Sequence, residues 1–378
     1  MANVQRDERR VFLTLDGLRG VAAVFVAMRH TAFFHSLGIH GGYMAVDLFF
    51  VLSGFVIAHA YERRLAQGMG AGRFLVLRYL RLWPVYLIGG CLGLVAALCQ
   101  AMPGPDNLSP TEVARVAPFA VAMLPAPHIR PMLYPVDSVA WSLALELIIN
   151  LVYALTWRWL RDVQVLGALT AVAAGVLVWT VAWFGKLDVG FTWTNAAGGL
   201  ARVAFSFAAG LLVYRAWRRW PLNLTLTAWA PLALLPALFW RPADSVIYPL
   251  VCVIAVFPAL VALSAWTEPG RRSHRLFGWL GAASYPLYAI HRPAGELIVL
   301  ALSRLIPVSV HWGVLLGAPY MVAALAVCVL VERFYDRPVR KALTVGAEWL
   351  MRQAPRRARP APVAEAADAD ALAAETRI

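Results

Sequence analysis

His30, Asp47 and Glu146 each interrupt a run of apolar residues long enough to cross a bilayer. Ionisable groups in such runs are costly and are kept for function or for a partner. A histidine with a carboxylate beside it is the usual make-up of a general base and its orienting group. With the first span running outward, His30 lies about 16 Å beyond Arg19 along a helix. Asp47 falls about 7 Å below the outer end of the second span, and Glu146 about 10 Å below the outer end of the fourth. These depths predict one catalytic layer in the outer half of the membrane, where Asp47 or Glu146 orients or charge-stabilises the His30 imidazole. Pairing with Arg202 or Arg29 is the structural alternative for either carboxylate. Arg202 has no other assigned role.

A second group gathers at the inner edge. Arg78 and Arg81 are three residues apart and share a helix face, and Arg19 lies at the same level. Converging guanidinium groups suit phosphate recognition. The bland readings are an i,i+3 pair of Arg19 with Asp16 and simple orientation anchors at Arg78 and Arg81. Ser284, Tyr285, Tyr288 and His291 climb from this level towards the middle. The polar residues thus trace a path from an anion site inside to the His30 layer outside. A polyanionic donor with a thin flexible arm fits it. Acyl-CoA is such a molecule, its nucleotide end at Arg19, Arg78 and Arg81 and its pantetheine arm passing Tyr288 and His291. His35, His40, His59, His128, His274 and His311 lie at span ends or in connections and read as ordinary. The cysteines Cys91, Cys99, Cys252 and Cys328 sit in apolar runs without metal-ligand spacing. No metal, disulfide or tightly bound cofactor is expected.

Positioning these groups requires a membrane. Hydrophobic residues make up 61% of the chain and charged ones 15%, against about 25% charged in a soluble domain. Ten apolar segments qualify as spans: 15–35, 43–60, 83–100, 139–157, 164–184, 198–216, 222–240, 244–266, 283–301 and 312–332. Their length calls for helices, so the expected class is an all-α integral membrane protein. With the N-terminus inside, twenty Lys and Arg fall in the inner connections. Five fall outside: Arg115, Arg130, Lys186, Arg241 and Arg304. Both termini are then cytoplasmic. The expected organisation is an N-terminal tail over 1–14, one membrane domain over 15–342, and a largely disordered cytoplasmic tail over 343–378. The Pro-rich stretch 102–135 is the longest outer connection and a candidate lid. The net charge of +13 is spread in short clusters between spans, without a zinc-finger, basic-helix or ribonucleoprotein motif, which argues against nucleic acid as a partner.

Six stretches together resemble the membrane acyltransferase-3 family, the group of O-antigen, exopolysaccharide and Nod-factor acyltransferases. LDGLRGVAAVFVAMRH matches its opening element through Arg19 and His30. GGYMAVDLFFVLSGFVIA matches its second through Asp47, Phe49, Phe50, Ser53, Gly54 and Phe55. RYLRLWPVYL supplies Arg78, Arg81 and Pro84, and WSLALE supplies Glu146. SYPLYAIHRP supplies Ser284, Tyr285, Leu287, Tyr288, His291 and Pro293. DRPVR supplies Asp336 and Pro338. One departure is that Leu147, Ile148 and Ile149 follow Glu146 where the family often has a second acidic or amide residue. The resemblance implies a ten-helix domain in a bacterial inner membrane. It implies O-acyl transfer, acetylation above all, to a carbohydrate or lipid-linked glycan. His30 is either the general base or a covalent acyl carrier. Some relatives carry a fused outer domain that finishes the transfer. Here the chain acts alone, or a separate outer-face protein completes the step.

The rival from another class is a transporter or flippase, since buried charges along a path serve transport equally well. It predicts paired halves with matching broken helices, which the sequence lacks. A purely structural subunit leaves three ionisable groups at one depth without a reason. The orientation is open to test: a reporter active only outside the cytoplasm is expected to be active near Ser36 and silent after Ile378. The reverse pattern overturns the outward placement of His30.

Overall fold

The computed structural model describes residues 11–100, 107–220, 222, 224, 227–240, 245–305 and 310–353. The basic cluster Arg6, Arg9 and Arg10, the outer Arg241 and the tail beyond Gln353 lie outside the described residues. Within them the chain is helical, with one isolated bridge between Met132 and Thr192. In chain order the helices are α1 (Leu13–His30), α2 (Ala45–Ala66), α3 (Ala71–Cys99), α4 (Pro110–Val121), α5 (Ala140–Thr156) and α6 (Val163–Phe184). There follow α7 (Ala196–Arg219), α8 (Trp229–Phe239), α9 (Ile247–Ala265, with a π turn at Cys252–Val256), α10 (His274–Leu305), α11 (Val310–Val331) and α12 (Arg337–Gln353). A second π turn, Glu332–Asp336, joins α11 to α12.

Each of the ten apolar segments holds one helix. By length and composition, six stretches of the described chain are able to cross a membrane: His40–Ala66, α3, α6, α7, α9 and Leu315–Gln353. The protein is therefore an α-helical membrane protein. α5 and α8 are shorter apolar helices. α1 carries Asp16, Arg19 and Arg29 and is correspondingly less apolar. Val172, Val176, Trp179 and Trp183 of α6 lie exposed, as a lipid-facing surface requires.

Small residues set the helix packing. A Cβ on Gly17 would meet the Phe277 ring, one on Gly20 would meet Leu280, and one on Gly281 would meet Asp16. Further along, His30 meets His291. α1 and α10 therefore run parallel in close contact. α2 and α7 also run parallel, since Asp47 meets Arg202 and Glu62 meets Arg215, and they touch closely: a Cβ on Gly54 would land on the Phe207 carbonyl, and one on Gly210 on the Val51 carbonyl. Between helices in lipid such close backbone approach supplies the packing that water-driven burial supplies elsewhere.

The expected lid is a packed structure. Ser109 caps α4 in a reciprocal box with Glu112. The Ser109 groups and the Arg130 guanidinium hold the Glu112 carboxyl well below its usual range, at about 2. Asn107 donates to the Gln100 carbonyl at one end of α4, and at the other Trp83 and Tyr79 donate to Val121 and Ala122. So α4 turns back and descends along α3 instead of lying over the mouth. At the other terminus, α12 carries ordered chain to Gln353, past the boundary expected at 342. Its Val339, Leu343 and Ala347 are half-buried while Lys341, Val345 and Trp349 are exposed, a helical period that a composition-based reading of the tail overlooks.

The α2–α7 contact yields a stability test. Gly54→Val must separate two backbones and is expected to cost at least about 1–3 kcal/mol. Gly175→Val, on the open face of α6 with no atom near, is expected to stay within about 0.5 kcal/mol. Thermal unfolding in detergent separates the two; equal stability of both variants refutes the packing argument.

Candidate functional site

Two polar layers, called inner and outer after the sides expected for them, lie along the wall made by α1 and α10. The inner one surrounds a cavity of about 190 Å³ lined by Arg19, Ser53, Arg78, Arg81, Glu146 and Tyr288, with aromatic and aliphatic residues between them. Arg19 Nε donates to Ser284 Oγ at 2.8 Å, and its Nη2 donates to Asp16 at 2.9 Å and to the Gly281 carbonyl at 3.1 Å. Arg78 pairs with Glu146 at 2.8 Å, and Ser53 donates to the same carboxylate oxygen at 3.0 Å. Arg81 lies over the Tyr285 ring and reaches Asp336 at 3.3 Å. The structure thus brings Arg19, Arg78 and Arg81 to one cavity, as their spacing suggests. It also gives each a carboxylate partner, Asp16 among them.

The outer layer is built on two imidazoles. His291 Nδ1 lies 2.8 Å from the Tyr288 carbonyl and 3.0 Å from that of Leu287. Carbonyls only accept, so Nδ1 carries the proton and Nε2 of the neutral ring is bare. His30 Nδ1 lies 3.2 Å from that nitrogen and 2.9 Å from the Val26 carbonyl, so it too carries a proton. The assignment follows from the hydrogen-bond network. It leaves Nε2 of His30 as the free basic nitrogen.

The side chain beside His30 Nδ1 is therefore His291, where a carboxylate was expected. Asp47 is taken by Arg202, which grips both its oxygens at 3.1 and 2.7 Å and also donates to the carbonyls of Val189 and Tyr43. Both side chains are 0% exposed. Glu146 lies at the inner layer with Arg78, not at the level of His30. Its depth was counted from the outer end of the fourth span. However, the chain leading into α5 has already descended: Asp137 packs at Gly89 and Val136 at Gly93, well along α3. The charged residues that share a cavity with His30 are Arg29, Asp188 and Arg292. Arg29 is paired with Asp188 at 2.9 Å, and Arg292 with Glu296 at 3.1 Å and with Ser138. Tyr288, expected on the donor path, exchanges a hydrogen bond with Ser142 at 2.5 Å.

His30 lines a cavity of about 160 Å³ with Tyr43, Trp141, Asp188 and Arg292. Val46 and Tyr288 belong to the walls of both this cavity and the inner one. His30 also borders an open cavity of about 340 Å³ with His35 and His40, histidines that the sequence left without a role. Sequence reasoning missed Arg292, Ser138, Ser142 and the pairing of Asp336 with Arg81. The first three lie next to motif residues, which was the available signal. Asp336 depends on the π turn, which has no sequence signature. Among the described residues no group of His, Cys, Asp and Glu forms a metal site.

A family model described as an acyltransferase domain matches residues 12–333. The range contains five of the six motif stretches, and Asp336 and Pro338 lie just past it. A protein from Rhizobium radiobacter, described as protein 2 in the picA locus, is 42% identical over 160 residues, 39% of this chain and 82% of that protein. No solved structure matches.

The Asp47–Arg202 pair invites a test of scaffold against chemistry. Asp47→Leu or Arg202→Met alone strands a buried charge and is expected to cost about 3–5 kcal/mol. The double variant is expected to regain folded yield and acyl transfer, since apolar replacement of both partners is often neutral or better. A double variant as stable as the wild type yet inactive would give Asp47 a part in the chemistry.

Proposed function

The chain belongs to the acyltransferase family, and from that premise we propose that it moves an acyl group from a cytoplasmic coenzyme A thioester to a hydroxyl at the outer face. The acyl group is acetyl in this reading. The acceptor is a cell-surface or exported glycan, free or lipid-linked, and the membrane is a bacterial inner membrane. The observation that carries the proposal is the pair of cavities meeting at Tyr288 and Val46, one lined by three arginines and the other by His30. A thioester donor that enters past the arginines and reacts beside His30 needs two such cavities side by side.

In the proposed reaction Nε2 of His30 takes the proton of the acceptor hydroxyl as its oxygen attacks the thioester carbonyl. The carbonyl π electrons move to oxygen, and Arg292 is the cation nearest to face the resulting oxyanion. Collapse restores the carbonyl and breaks the carbon–sulfur bond. The thiolate leaves with the proton that His30 had taken. Tyr288 and Ser142, at the junction of the cavities, guide the thioester arm.

The same reading places ten spans in the membrane domain 15–342, with both termini in the cytoplasm. Helix directions support it. α1 and α10 run parallel, as do α2 and α7, which alternating spans in those positions require. In this scheme a separate outer-face protein is a possible recipient of the acyl group before the glycan.

Proteoliposomes loaded with labelled acetyl-CoA and supplied with an outer glycan acceptor test the mechanism. His30→Ala is expected to lose about 10²–10⁴ in rate. His291→Leu removes one of the two acceptors at His30 Nδ1, the other being the Val26 carbonyl, and is expected to lose roughly fivefold, for a hydrogen bond of about 1 kcal/mol. His291→Gln, whose amide oxygen is able to accept the same proton, is expected to recover most of it. Wild-type transfer by folded His30→Ala protein sinks the assignment.

A further inference from the structure

A cavity of about 360 Å³ lies beside the inner one, between the end of α2, the start of α3 and α12. Arg64, Arg81, Arg337, Arg340 and Lys341 line it, against the single carboxylate of Glu348. Glu348 is engaged elsewhere, 2.9 Å from Arg73. Asp336 is shared by Arg81 at 3.3 Å and Arg340 at 2.9 Å, and Glu332 is held by Arg337. The five cations therefore divide two carboxylates and keep a net positive field. The inner cavity differs. There Arg19 and Arg78 each face a carboxylate of their own, Asp16 and Glu146. Arg81 is common to both linings.

We infer that this basic cleft, and not the inner cavity, holds the phosphate groups of the donor's nucleotide end. The inference rests on the coenzyme A reading and refines it. The adenosine phosphates sit among Arg337, Arg340, Lys341 and Arg64. The pantetheine arm turns past Arg81 into the inner cavity, whose mixed lining of Phe49, Phe50, Ser53 and Tyr288 suits a thin arm of amides and methylenes. Fixed guanidinium forks bind phosphate oxygens in pairs, and the cleft falls within the usual range of ligand-pocket volumes. An anionic lipid headgroup offers the same phosphate chemistry, and α12 exposes Val345, Trp349 and Leu350 as an interfacial helix does. The continuity through Arg81 favours the donor, because a headgroup has no arm to thread into the protein.

The test uses the full-length protein in nanodiscs of zwitterionic lipid, with calorimetric binding of coenzyme A, adenosine 3′,5′-bisphosphate and pantetheine. Arg337→Ala and Lys341→Ala are surface changes on α12. Each is expected to lower the ratio of coenzyme A to pantetheine affinity about tenfold, as for the loss of one charge-assisted contact. The bisphosphate is expected to lose as much. Arg337→Lys is expected to recover part, since the charge returns without the fork. Arg352→Ala, on the same helix outside the cleft, is expected to change nothing. An unchanged ratio in both cleft variants overturns the inference while leaving the donor reading intact. An effect seen only in anionic nanodiscs assigns the cleft to a lipid headgroup and overturns it as well. Wild-type protein that binds no coenzyme A and transfers nothing from acetyl-CoA overturns the donor reading and this inference together.

Discussion

The parallel contact between α1 and α10 is the constraint on which the site depends. Gly17 and Gly20 face Phe277 and Leu280, and Gly281 faces Asp16, so the two backbones sit closer than any larger residue permits. That register fixes two contacts at once. Arg19 reaches Ser284 and the Gly281 carbonyl at the inner layer, and His30 reaches His291 at the outer. A slip of one helical turn, about 5.4 Å, breaks both together. The Arg19 contacts and the imidazole pair are thus parts of one rigid wall. Lipid tails are as apolar as leucine, so helix association here draws on dispersion and on interhelical hydrogen bonds.

Around this wall the carboxylates of Asp47, Glu62 and Glu146 are each paired with an arginine inside the protein. Arg202 closes on Asp47 and on two outer carbonyls, tying the start of α2 to α7 and to the connection before it. Glu62 does the same at the other end of α2 through Arg215. Arg78 and Glu146 join α3 to α5, with Ser53 of α2 completing the carboxylate. A single unpaired member of any pair costs several kcal/mol, whereas the pair as a whole is close to neutral. What the pairs provide is register, since each joins helices far apart in sequence.

Much of this was legible in the residues. The helix-bearing segments, the common level of Arg19, Arg78 and Arg81, and the separate level of His30 all follow from hydropathy and a rise of 1.5 Å per residue. The choice of partners did not follow. Asp47 and His30 share a depth, but depth says nothing about which helix a side chain faces, and Asp47 faces α7. Glu146 escaped the depth estimate for a different reason. The estimate assumes that a span begins at the membrane surface. Here α4 and the chain after it fold down along α3, so α5 starts low. The family resemblance named residues that the fold gathers into two layers, without saying which of them touch.

The same backbone logic explains why the His30 imidazole is oriented without a carboxylate. A carboxylate in the outer layer would bring a charge that itself needs a partner, as Asp47 needs Arg202. A helix carbonyl is a dipole already in place. His291 uses two of them, three and four residues back along α10, to fix its own tautomer, and passes the choice on to His30. Pro293 follows two residues later and has no N–H for the Ala289 carbonyl. That freed oxygen is where Gly89 of α3 packs, so close that a Cβ would collide with it. The proline thus opens a docking point for α3 one turn from the imidazole pair. Gly89 in turn holds Asp137 and the descending chain against α3, which sets the low start of α5 and hence the meeting of Glu146 with Arg78. A single imino residue near the outer layer, through one glycine contact, helps to set the geometry of the inner one.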